Sequence, residues 1–503
     1  MPIARTFSIA LIGVAGRMVE IEADIGAGLP GTVLVGLPDA GLREAKDRVR
    51  SAVRNTKVPW PDTKVTLGLS PANLPKIGSA YDLGIAVSVL AASGKVPATK
   101  LPGTALLGEL ALDGRIRPIR GALPSVLAAR NLGMTCAVVP EASLAEAALV
   151  DGITVWGAHR LGDVLGWLRD EAELLWPPER PPPIEPDIPD LADVLGQPEA
   201  RWALEVAASG GHHIALVGPP GVGKTLLARR LPGLLPPLSA DEALEVTAVH
   251  SLDGSLSPGS PLVRVPPFVA PHHSISVAAL IGGGSGLATP GAVSKAHRGV
   301  LLLDEACEFG PQRLESLRTA LEEGEVRLAR AKGVVCYPAR FQLVLATNPC
   351  PCAPAREADC SCSPSARRRY LGRLSGPLMD RVDIRVRMRP ITAMDRHAVD
   401  PPEDTQVVRE RVLAARERAA RRWSGHGWRT NAEVPGPKLR TEFGLPADVT
   451  SVLERGLRRG VVTARGADRC LRLAWTLADL GGIDRPGMDE VAAALEFRDR
   501  RAA

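Results

Sequence analysis

The sequence predicts an α/β protein built around a parallel β-sheet with helices on both faces. A helical bundle follows the sheet, and a separate α+β region precedes it. Three observations point there. First, between residues 189 and 390 the apolar runs "HIALVG", "VLLLDE" and "FQLVLATN" alternate with helical patterns, as expected for a helix-covered parallel sheet. Second, from Ile391 to the end, "VVRERVLAARERAARRW" and "ADRCLRLAWTLADLGG" carry apolar residues at three- and four-residue spacing, the period of helices. Third, "WPPERPPPIEP" (Trp176 to Pro186) cannot continue a helix or a central strand, because each proline lacks an N–H and fixes φ. It reads as a stiff connector over 176–188. The expected regions are therefore 1–175, 189–390 and 391–503.

In the first region, "FSIALIGVAG" resembles a signal-peptide core, but "GRMVEIEADI" continues its alternation, so a first strand is the better reading. "GTVLVGLPD" and "CAVVP" read as further strands, and "REAKDRVRSAVRNT" as an amphipathic helix. With 23% charged and 45% hydrophobic residues, the chain has the composition of a soluble globular protein. A net charge of +5 on 61 basic and 56 acidic side chains is too small to diagnose nucleic-acid binding by itself. No apolar run approaches a membrane span, so no membrane partner is expected. Eight cysteines without a secretory signal suggest a reducing, cytoplasmic setting.

The second region holds the chemistry. "GPPGVGKT" supplies Gly218, Pro219, Pro220, Gly221, Val222, Gly223, Lys224 and Thr225, a phosphate loop between a strand and a helix. Its glycines let backbone N–H groups converge on phosphate oxygens. Lys224 would reach the β- and γ-phosphates of ATP, and Thr225 would offer a hydroxyl to Mg²⁺. "GVLLLDEA" ends in Asp304, placed to hold Mg²⁺, and Glu305, placed to polarise the attacking water. "FQLVLATN" brings Asn348 to the same sheet edge, where its amide would orient that water.

The order of phosphate loop, "PFVAPHHSISVAALIGGG", "PGAVSKAHRGVLLLDEACEF", "ALEEGEVRLARAKGVVCYPARFQLVLATNPCPC" and "GRLSGPLMDRVDI" resembles the magnesium-chelatase-like AAA+ ATPases of the ComM/YifB family. The resemblance implies an AAA+ core with a helical C-terminal lid, acting as a homo-hexameric ring. It implies that Arg381 in "LMDRVDI" is an arginine finger completing the neighbouring subunit's site. It also implies that Arg465 in "TARGADRCLRLAW" is the lid arginine that contacts ATP, with Arg469 as the second candidate. ComM-like proteins are associated with ATP-driven branch migration of DNA during natural transformation, so single-stranded or branched DNA is an implied partner. A metal-inserting chelatase subunit and a protein-remodelling chaperone are the competing readings.

Lys224 and Asp304 stand 80 positions apart, which leaves room for an inserted glycine-rich segment. Within it, His272 and His273 read as polar contacts in the insert rather than as metal ligands. "EVRLARAKGVVCYPARF" reads as a hairpin carrying Arg327, Arg330 and Lys332. In related ring ATPases such a hairpin points into the pore, where these cations would contact DNA phosphates. A hairpin made soluble by charge fits the same residues.

Cys350, Cys352, Cys360 and Cys362 follow as C-x-C, seven residues, C-x-C. They suit either a structural Zn²⁺ site or four free thiols. Cys136, Cys307, Cys336 and Cys470 read as core positions. Finally, "ALLGELALDGRIRPIRGALPSVLAARNLGMTCAVVP" resembles the proteolytic domain of Lon proteases, but Ser125 occupies the position of the base lysine and the segment around Ser79 departs from the nucleophile pattern. A Lon-like fold without its peptidase chemistry is expected.

Overall fold

The computed structural model describes residues 3–36, 40–72, 74, 76, 78–179, 188–256, 262–284, 288–330, 333–355, 357–391 and 402–499. The N-terminal region contains strands β1 (Ile3–Ile12), β2 (Ala15–Gly26), β3 (Gly31–Val35), β4 (Lys64–Ser70), β5 (Thr104–Leu106), β6 (Glu109–Leu110), β7 (Ile116–Arg117), β8 (Cys136–Pro140) and β9 (Thr154–Ala158). Seven of them form one mixed sheet in the order β3-β4-β2-β1-β5-β8-β9, while β6 and β7 pair separately. The β1–β2 hairpin is antiparallel, with Ile3 opposite Asp24 and Ile12 opposite Ala15. The expected first strand is thus β1, and its alternating side chains feed cores on both faces of the sheet. The connector's residues 180–187 lie outside the described residues. Just before them, Trp176 packs on Trp156 with ring centroids 4.3 Å apart.

The second sheet is wholly parallel. Its strands are β10 (Ile214–Val217), β11 (Phe268–Val269), β14 (Val300–Leu303), β17 (Gln342–Thr347) and β18 (Ile384–Arg387), in the order β11-β14-β17-β10-β18. The residues of β10, β14 and β17 are all buried, as a sheet covered on both faces requires. Ile214, Leu216, Val344 and Ile384 face a core shared with helix Pro198–Gly210 and the C-terminal helices, including Trp423 and Trp475. Ala215, Leu301, Leu343 and Leu345 face the opposite core, with Phe309, Leu314 and Leu378. The C-terminal helices Thr405–Trp423 and Ala464–Gly481 form the lid-like bundle.

Two small hairpins leave this core: β12 (Gly282–Gly283) with β13 (Thr289–Pro290), and β15 (Glu325–Arg330) with β16 (Gly333–Pro338). Leu244 and Ala248 of helix Ala240–Asp253 insert among Ile9, Leu123 and Val126 of the N-terminal region, so the two regions share a core. The β1–β2 turn also seats against β16, with no room for a Cβ between Gly13 and the Cys336 carbonyl.

Candidate active site

β10 is the earliest strand of its sheet, yet it lies between the two latest, β17 and β18. Chain direction diverges there, opening a crevice beyond the carboxyl ends of the strands. The loop 218–225 occupies that crevice. Gly221 and Gly223 adopt φ of +77° and +91°, left-handed values that glycine tolerates without strain. Gly218 donates to the Thr347 carbonyl at 3.1 Å, and a Cβ on it would stand 2.7 Å from the Met388 carbonyl. The loop is therefore held against the ends of β17 and β18.

Lys224 is buried. Its Nζ donates to the Gly218 and Pro219 carbonyls, both at 2.7 Å, and to Asn348 Oδ1 at 3.0 Å. Burial pushes its pKa down, while Asp304 and Glu305 pull it back up. The Thr225 hydroxyl donates to Asp304 Oδ2 at 2.7 Å. A hydroxyl and a carboxylate this close are an oxygen donor pair suited to Mg²⁺. Glu305 sits at φ +52°, uncommon for a residue with a Cβ and of order 1 kcal/mol in cost. Its carboxylate is half-exposed and meets His273 Nδ1 at 3.2 Å. Lys224, Thr225, Asp304, Glu305 and Asn348 thus converge at one sheet edge.

Arg381 and Arg465 lie at the opposite edge. Arg381 precedes β18, whose Ile384 pairs with Ile214 at the start of β10. Three residues of strand at about 3.3 Å each separate that level from Val217, before either flanking segment is counted. Arg381 is buried and donates to the Glu322 carboxylate and the Pro377 carbonyl. Burial lowers its pKa, as do its neighbours Arg318, Arg465 and Arg469. Arg381, Arg465 and Arg469 line one cavity of about 860 Å³. Arg465 is exposed and makes no hydrogen bond or ion pair with a described residue. Arg469 instead donates to the fully buried Asp383 at 2.6 Å, and the Asp383 carboxylate also accepts the His213 N–H at 3.0 Å. Arg465 lines the same cavity with His213, Gly299 and Gln342, at the amino ends of the strands and away from the loop 218–225. Helix Ala464–Gly481 thus meets the amino end of β18, beside Arg381.

The DNA-contact candidates divide. Arg327 is exposed on β15 and bonded to Glu325 at 2.5 Å, with Glu323 at 3.3 Å. Arg330 closes the ladder opposite Gly333, and Lys332 lies outside the described residues. Cys350, Cys352, Cys360 and Cys362 bring their sulfurs within 4.8 Å of one another. Among the other cysteines, Cys307 and Cys470 are buried as expected, Cys136 is only partly buried, and Cys336 is exposed. The reason is the pleat: Cys336 alternates with the buried Val335 and Tyr337 on a two-stranded ribbon that has only one covered face.

Two contacts escape motif reading. His273 reaches Glu305, although "HH" gives no sign of it, and Gln197 ties the Val222 carbonyl to the Arg389 carbonyl at 3.4 and 2.5 Å. In the N-terminal region, Ser79 donates to the Glu109 carboxylate, and the buried Ser125 donates to the Gly121 carbonyl at 2.7 Å. Among the described residues, neither serine is hydrogen-bonded to an amine.

Comparison with known proteins decides the family. The model for magnesium chelatase, subunit ChlI, matches residues 190–396, that for subunit ChlI of Mg-chelatase matches 21–143, and that for the ChlI C-terminal part matches 402–498. YifB of Escherichia coli, itself uncharacterized, is 40% identical over 97% of this chain and 96% of its own. Competence protein ComM of Haemophilus influenzae is 38% identical over 99% and 98%. The chain belongs to the ComM/YifB family of magnesium-chelatase-like AAA+ ATPases. An uncharacterized protein of Mycobacterium tuberculosis, 58% identical over the full length of both chains, is a further relative. A stretch of 144 residues is 31% identical to Lon protease 2 of Bacillus subtilis, in keeping with a Lon-like N-terminal region. Among the described residues, no helix is long and apolar enough to cross a membrane.

Proposed function

We propose that this ComM/YifB-family protein is a cytoplasmic ring motor, a homo-hexamer that hydrolyses ATP between subunits and moves branched or single-stranded DNA. The observation that carries the reading is the separation of two sets of groups on one sheet. The Lys224–Thr225–Asp304–Glu305–Asn348 cluster occupies one edge, and the Arg381–Arg465 pair the other. Three strand residues, about 10 Å, separate the level of Ile384 from that of Val217, which favours an arginine serving the neighbouring subunit's cradle. In a head-to-tail ring, each subunit turns its arginine edge to the next subunit's cradle.

In this scheme Lys224 exchanges the Gly218 and Pro219 carbonyls for phosphate oxygens, and Asn348, freed from Lys224, orients the attacking water. Thr225 and Asp304 would hold Mg²⁺, which would supply positive charge against the phosphates of the nucleotide. Glu305 takes the proton of the water that attacks the γ-phosphorus. The bond from that phosphorus to the bridging oxygen breaks, leaving ADP and phosphate. Arg381 of the adjacent subunit stabilises the charge on the transferring group, and Arg465 reaches the same nucleotide from the lid.

On the DNA side, the β15–β16 hairpin presents Arg327 on its exposed face. Contact with DNA would replace Glu325 and Glu323 by phosphate oxygens, so binding should weaken steeply with salt. The test is ATPase stimulation by branched DNA in wild type and in Arg327→Glu/Lys332→Glu. Stimulation lost in the variant, with its basal turnover kept, supports the reading. No stimulation of wild type and no binding at low salt refute it, and turnover that responds to a porphyrin would favour a chelatase role.

A further inference from the structure

We propose that Cys350, Cys352, Cys360 and Cys362 bind one Zn²⁺ ion as four thiolates, and that the ion staples the Asn348 loop to the basic helix Pro364–Leu371. The sulfur positions carry the inference. Cys350–Cys352, Cys352–Cys360 and Cys350–Cys360 each stand 3.5 Å apart, and all four sulfurs lie within 4.8 Å of one another. A tetrahedron with Zn–S bonds of about 2.3 Å has edges of about 3.8 Å, inside that range. A disulfide would need about 2.05 Å, and all four cysteines are free.

Burial does not account for the convergence. Cys350 is buried, but Cys352 is exposed and Cys360 and Cys362 are only partly covered. None of the four belongs to a hydrophobic cluster, and the segment between the pairs reads "APAREAD". Apolar collapse therefore gives such a loop no reason to bring four sulfurs together. A soft divalent ion does, because each thiolate gains a bond that offsets the ordering of the loop.

Position gives the site its consequence. Cys350 stands two residues after Asn348, which contacts Lys224. Cys362 stands two residues before Pro364, and Ser363 caps the helix by accepting the Ala366 N–H at 3.2 Å. That helix carries Arg367, Arg368 and Arg369, and beyond it Arg373 bonds Glu308 at 3.0 Å, next to the Glu305 turn. The ion would thus fix the spacing between the water-orienting amide and a basic surface. The inference stands apart from the motor reading, because metal content is measured without ATP or DNA.

The experiment is elemental analysis of the full-length chain, purified under reducing conditions without chelator from zinc-supplemented cells. Wild type and the Cys136→Ser control should carry about one zinc per chain, and Cys352→Ser/Cys360→Ser less than about a fifth of that. Cys352 is exposed and Cys360 only partly buried, so the pair can be changed without emptying a core, and circular dichroism checks the fold. Cobalt exchanged into wild type should show the intense visible bands of a tetrahedral thiolate site, and the double variant should not. Wild type without zinc, zinc retained by the double variant, or iron with visible absorbance in place of zinc would each overturn the proposal.

Discussion

Replacing Arg381 with alanine separates catalysis from folding. In the isolated chain Arg381 is buried against Glu322, whose carboxylate is 49% exposed and can return to water when the guanidinium is removed. Losing the pair together with the Pro377 contact costs about 1–2 kcal/mol, because only the Glu322 side is open to solvent. Part of that is recovered, because Arg381 is crowded by Arg318, Arg465 and Arg469. Thermal stability and ATP affinity should therefore change little. The loss falls on turnover: an arginine finger supplied in trans is worth a factor of about 10³ or more in kcat, or roughly 4 kcal/mol. The assay is steady-state phosphate release by wild type and Arg381→Ala at saturating ATP, with nucleotide binding measured separately. Wild-type turnover in the variant would refute the reasoning, and so would a loss of turnover matched by a loss of folded protein.

Asn348→Ala should slow hydrolysis by about a hundredfold while leaving ATP affinity within a few-fold, because the amide acts on water and releases Lys224 when nucleotide arrives. Equal losses in both would show that Asn348 only braces the lysine. Stability should also fall on acidification. Burial holds the His213 imidazole down to about 4, where it accepts the Leu343 N–H at 3.0 Å. The unfolded chain binds that proton first, so the contribution is complete above pH 6.5 and is lost as pH falls toward 4. Between pH 7.5 and 5 this amounts to at most about 2 kcal/mol, trimmed by water in the cavity that His213 lines. Burial raises the Asp82 carboxyl to about 6, which opposes this trend over the same range, so the His213 contribution is read as the difference between wild type and His213→Asn in urea titrations at the two pH values.

The cradle was legible in the sequence because its chemistry is local. A loop of eight residues and two strand ends fix Lys224, Asp304 and Asn348 relative to one parallel sheet, and a parallel sheet follows from apolar runs alternating with helices. The placement of Arg465 was not legible. It depends on how a bundle some 200 residues downstream docks, through Asp383, Arg469 and the core around Trp423 and Trp475. The same limit hid the His273–Glu305 contact and the insertion of Leu244 and Ala248 into the N-terminal core, since neither has a periodic or motif signature. On the hairpin, composition pointed to free positive charge. Arg327 is instead compensated by Glu323 and Glu325, four and two residues before it, which a count of cations along the strand overlooks.

The shared-seam claim is tested most directly by mixing two inactive variants, Glu305→Gln and Arg381→Ala. In randomly mixed rings with equal parts of each, about one junction in four joins an intact Glu305 to an intact Arg381. Phosphate release should therefore recover to about a quarter of the wild-type rate after subunit exchange. A mixture no faster than the sum of its two components, under conditions where exchange is demonstrated, would contradict the account.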